Sequence, residues 1–87
     1  MTNREVKIVS KLERLNVFLQ EKLETADAQI QYWESKVEKH GENSSVNWAS
    51  VTFGDCLNTA IKNKKYFENE IKENEALIKE LREEARE

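Results

Sequence analysis

From Val9 to Val37 one stripe of positions recurs at alternating steps of three and four residues: Val9, Leu12, Asn16, Leu19, Leu23, Ala26, Ile30, Trp33 and Val37. A 3.5-residue repeat held over about four heptads keeps those side chains on one side of an α-helix, and no strand reproduces it. Thr2-Asn3-Arg4-Glu5 reads as a capping box, in which the threonine hydroxyl and the glutamate carboxylate satisfy orphan amides of a first turn. The run stops at His40-Gly41, where glycine can leave the helix through the left-handed conformation and a histidine suits the dipole. The spacing predicts a helix over 3–39.

A second stripe follows: Phe53, Leu57, Ala60, Lys64, Phe67, Ile71, Asn74, Ile78, Leu81 and Ala85. Its helix has two candidate starts, one near Ser45 and one at Thr52, where Thr52-Phe53-Gly54-Asp55 forms another capping box flanked by Val51 and Cys56 as a hydrophobic staple. Register decides between them. Folding the chain so that Val37 meets Phe53 sets Trp33 on Leu57, Ile30 on Ala60, Ala26 on Lys64, Leu23 on Phe67 and Leu19 on Ile71. It also sets Asn16 on Asn74, Leu12 on Ile78 and Val9 on Leu81. The two seam asparagines then exchange hydrogen bonds and penalise every slipped alignment. A start at Ser45 would set Asn16 against Phe67 instead. The expected fold is therefore all-α: a two-helix antiparallel coiled-coil hairpin forming one domain over 1–87, with helix 3–39, loop 40–52 and helix 53–86.

Charge agrees with that pairing. Arg4, Lys7, Lys11 and Arg14 open the first helix, and the segment expected beside them carries Glu68, Glu70, Glu73, Glu75, Glu80, Glu83, Glu84 and Glu87. Farther along, Glu21, Glu24, Asp27 and Glu34 face Lys62, Lys64 and Lys65. Exposed pairs contribute about 0 to 1 kcal/mol each, so they set orientation more than stability.

Composition narrows the functional classes. The chain has 87 residues, 36% of them charged, with no proline and two glycines, which suits long solvated helices. A formal net charge of −3 gives no overall attraction to nucleic acid. The single cysteine, Cys56, has no internal disulfide partner, and Met1 to Ser10 lack the apolar core of a signal peptide, so a cytoplasmic location is expected. No apolar run approaches the roughly 20 residues of a membrane span. Asn43-Ser44-Ser45 matches a glycosylation acceptor and reads as a chance match in a polar loop.

A single narrow seam rarely offsets the ordering entropy of two long helices in so small a domain. Ile8, Leu15 and Phe18 beside the first seam, and Ile61 and Leu77 beside the second, widen the apolar face. They form the expected oligomer interface, and two hairpins closing a four-helix bundle is the simplest arrangement. Isolated surface hydrophobes are the plainer reading.

Two regions are candidates for further binding. The connection from Gly41 to Val51, roughly a dozen residues, is longer than a helical hairpin needs and carries Trp48. Trp48 with Tyr32, Trp33 and Phe53 predicts an aromatic cluster at the closed end; Trp48, Tyr32 and Phe53 then offer a partner-binding surface, or Trp48 plugs the core. Lys62-Asn63-Lys64-Lys65-Tyr66 is a basic cluster with an aromatic neighbour, readable as an anion site or as a solvated face complementing the acids of the first helix. His40 and Cys56 show no ligand spacing for a metal and no orienting group for nucleophilic chemistry, so neither catalytic residues nor a cofactor is expected.

The expected function is a non-enzymatic protein–protein interaction module that self-associates and serves as adaptor, inhibitor or assembly factor for another protein. One alternative is an oligomer that sequesters a small anion or nucleotide through Lys62, Lys64, Lys65 and Tyr66, of the kind a virus or mobile element carries. A structural coiled-coil segment is the other.

Overall fold

The computed structural model describes residues 1–45 and 50–86. Helix α1 spans Asn3–His40 and α2 spans Phe53–Arg86, packed side by side in a rod of 58 × 18 × 17 Å. Among the described residues there is no strand, only an isolated antiparallel bridge between Ser45 and Thr52.

Local chemistry sets the helix ends. Thr2 is the N-cap of α1: its Oγ1 accepts from the Glu5 amide at 3.2 Å and donates to the Glu5 carboxylate at 3.1 Å. The acid thus closes onto the hydroxyl rather than onto the cap's backbone amide, a variant of the expected box. At the other end the Gly41 N–H donates to the Val37 carbonyl at 2.8 Å. Gly41 has φ 88° and ψ 152°, so the chain leaves α1 through an extended, positive-φ conformation that is essentially glycine's alone. The left-handed helical stop expected from the sequence is not the one used.

Helix α2 begins at the later of its two candidate starts, and its first-turn amides are satisfied from two sources. The Phe53 N–H donates to the Ser44 carbonyl and the Gly54 N–H to the Glu42 carbonyl, both at 2.9 Å. The Asp55 amide donates to Thr52 Oγ1 at 3.1 Å, and the Thr52 amide reaches back to the Asp55 carboxylate at 3.3 Å. The start of the connection therefore lies across the N-terminus of α2, supplying carbonyls where a helix has unpaired donors. The Ser44 hydroxyl also donates to the His40 carbonyl, holding the same turn from the α1 side.

The helices meet along the stripes read from the repeat. Val9, Leu19 and Ala26 of α1 and Ala60 and Ile78 of α2 are buried, and the remaining apolar seam positions from Leu12 to Leu81 are half-buried. Asn74 Nδ2 donates to Asn16 Oδ1 at 2.9 Å. With Arg82 on Glu13, Lys64 on Asp27 and Phe53 beside Trp33, the cross-helix pairs run in opposite directions along the two helices, which defines the antiparallel hairpin. Lys64, a seam position, keeps its stem along the interface and carries its ammonium out to solvent. Among the described residues no large side chain is fully buried, because each helix has only one neighbour.

Candidate functional site

The hairpin has two flanks, one on each side of the seam, and they differ in chemistry. On the first, Glu13, Glu75, Lys79 and Arg82 line an open groove, with Arg82 Nη2 2.7 Å from Glu13 Oε1. Lys64 Nζ lies 2.8 Å from Asp27 and 4.0 Å from Glu68 on this side. Its pKa is raised above the ordinary lysine value, chiefly by the hydrogen bond to Asp27 and that carboxylate's charge, which outweigh the opposing effect of burial, with Glu68 and Glu34 adding lesser contributions.

The second flank is marked by a shallow groove that brings Gln29 of α1 together with Val51, Cys56, Thr59 and Asn63. Ile8, Leu15, Lys22 and Gln29 stand seven residues apart on α1, as do Cys56, Asn63, Glu70 and Leu77 on α2, so each set forms one row beside the seam. The groove therefore places Ile8, Leu15 and Leu77 on this flank, toward the open end of the hairpin. They are 36%, 43% and 42% exposed, and Phe18, one row farther out, is 52% exposed with the Lys22 ammonium 5.2 Å from its ring centre.

Ile61 does not join them. It belongs to the row of Glu68, Glu75 and Arg82 on the first flank, and is half-buried there. The five residues grouped by the sequence as one interface thus divide four to one. The distinguishing signal was present in the chain: Ile8, Leu15 and Leu77 precede their seam residues, whereas Ile61 follows Ala60.

At the closed end, Tyr32 meets Trp33 edge-on at 4.8 Å, and Trp33 lies 6.1 Å from Phe53. His40 stacks on Phe53 at 5.5 Å with 26° between the rings, a partner that no spacing in the sequence marked. Phe53 is half-buried beneath these rings, while Tyr32 points outward with the Lys36 ammonium 5.5 Å from its ring. Trp48, the third member of the expected partner-binding group, lies outside the described residues.

The basic cluster is divided by the helical period. Lys62, Lys65 and Tyr66 are exposed on the outer side of α2, and Tyr66 packs edge-on against Phe67 at 5.7 Å. Lys64 faces the seam and is engaged by Asp27, so the four residues do not converge on one point.

Among the described residues no three His, Cys, Asp or Glu side chains converge as a metal site, and no helix is long and apolar enough to cross a membrane. Compared with protein-family models, curated proteins and solved structures, the chain matches none.

Proposed function

We propose that this chain is a non-enzymatic interaction module that associates with itself, two hairpins closing a four-helix bundle, and serves another protein as adaptor, inhibitor or assembly factor. The observation that carries the reading is the second flank. Ile8, Leu15 and Leu77 lie in adjacent rows beside the seam, each more than a third exposed, on a hairpin whose own interface completely covers no large side chain among the described residues. Covering the 36% to 43% of these three side chains that is still exposed contributes roughly 0.5 to 1.3 kcal/mol apiece, a substantial share of the stability of a fold this small.

Sedimentation across a concentration series tests the self-association. The wild-type chain should show a concentration-dependent dimer, and Leu15→Asp should yield monomer or an unfolded chain. Leu77→Gln, a milder change on the same flank, should weaken the dimer while leaving the circular dichroism of the hairpin intact. A wild-type chain that stays monomeric at all concentrations overturns the proposal.

A further inference from the structure

The charges around the exposed aliphatic patch determine which way round a second copy sits on it. On this flank the two rows of α1, at positions 8, 15, 22, 29 and 36 and at 4, 11, 18, 25, 32 and 39, contain lysine and arginine but no acid. The two matching rows of α2, at 56, 63, 70, 77 and 84 and at 59, 66, 73 and 80, contain glutamate but no base. The flank is therefore a basic strip beside an acidic strip, with Ile8, Leu15, Phe18 and Leu77 between and across them. Among the described residues, none of Lys11, Lys22, Lys36, Glu70, Glu73 and Glu80 takes part in an ion pair; the pairs that do form involve Asp27, Lys64 and Glu68, Lys79 and Glu83, and Glu13 and Arg82. Lys22 and Lys36 rest instead on the faces of Phe18 and Tyr32.

Two face-to-face dimers can bury this patch, because a two-fold axis in the plane of contact runs either along the hairpin or across it. An axis across the hairpin lays α1 on α1 and α2 on α2, which sets base against base and acid against acid. An axis along the hairpin lays the basic strip of each copy on the acidic strip of the other. We infer that a second copy of this chain docks on this flank in the second way, the two hairpins side by side with their open ends together. This rests on the self-association proposed above and adds its geometry.

The register of the hairpin makes the pairing specific. With Asn16 and Asn74 at one height, Lys22 and Glu70 differ in height by about 3 Å and Lys11 and Glu80 by about 1.5 Å, at 1.5 Å per residue. Each therefore meets its opposite number on the second copy, and the aliphatic patches coincide without any shift. Every helix in the resulting bundle has antiparallel neighbours, as in up-down-up-down four-helix bundles.

The test combines a distance with a charge swap. A spin label on Asn58→Cys in a Cys56→Ser background reports the separation of the two closed ends. The inferred dimer places the labels about 30 Å apart or less, given helix spacings of 8 to 10 Å, whereas an axis across the patch separates them by about 60 Å. Lys22→Glu or Glu70→Lys alone should weaken the dimer by about five- to tenfold, and the double variant should recover most of the loss. A dimer with the long distance, or single reversals that tighten it, overturns this geometry and leaves self-association standing. A monomeric chain overturns both.

Discussion

The side-chain amide of Asn74 donates to Oδ1 of Asn16 across the helix–helix seam at 2.9 Å, joining residues 58 positions apart in the chain. The bond is only partly buried, so its contribution to stability is modest, but among the described residues it is the one hydrogen bond joining two seam side chains and distinguishes this register from its neighbours.

Replacing either asparagine by leucine leaves the other amide facing an apolar partner, at a cost of about 1 kcal/mol and at most about 3 kcal/mol. Asn16→Leu with Asn74→Leu should be more stable than either single variant, because no amide is stranded and an aliphatic layer is added. Urea denaturation of the four chains measures the coupling. Additive effects of the two substitutions would show that the pair does not act as a unit.

Gly54 lies in the first turn of α2, where alanine ordinarily gains about 1 kcal/mol over glycine. Here an added Cβ would stand 2.9 Å from the Glu42 carbonyl oxygen and 3.1 Å from the Glu42 Cβ. The nearest atom is backbone, and it is the acceptor for Gly54's own N–H. Relieving the clash must therefore disturb that bond, and Gly54→Ala should destabilise the hairpin by about 1 to 3 kcal/mol. Asn58→Ala, at an exposed position of the same helix, should be neutral or slightly stabilising in the same thermal melts. A rise in melting temperature for Gly54→Ala would contradict the close packing of Glu42 on this turn.

The pairing of Lys64 with Asp27 predicts a pH dependence with a definite sign. Folding raises the lysine pKa above 10.5, so the folded state holds its proton more tightly than the unfolded chain. The associated stability is fully present below that value and is lost as pH rises through the folded pKa. The difference in melting temperature between the wild-type chain and Asp27→Asn should therefore stay constant between pH 7 and 9 and shrink above about 10.5. A difference that is unchanged at pH 11 would show that Asp27 acts on stability by some other route.

Much of the hairpin is legible because its determinants lie within a few residues of one another. Thr2 with Glu5 and Thr52 with Asp55 close their boxes over three positions, Gly41 ends α1, and the 3.5-residue repeat names the seam. The asparagines are the exception, being far apart in the chain. Their positions are informative together, because a single antiparallel alignment of the two repeats pairs them.

What the amino-acid sequence determined by itself is where the two helices lie, which residue stripe each turns inward, and the alignment that joins Asn16 to Asn74. What only the tertiary structure decided is what surrounds that seam: Glu42 over Gly54, His40 on Phe53, and Lys64 drawn to Asp27. The physical reason is range. Caps and periodicity act through bonds and neighbours within one or two helical turns, whereas these contacts depend on how the connection crosses the end of α2 and which faces then meet across the seam.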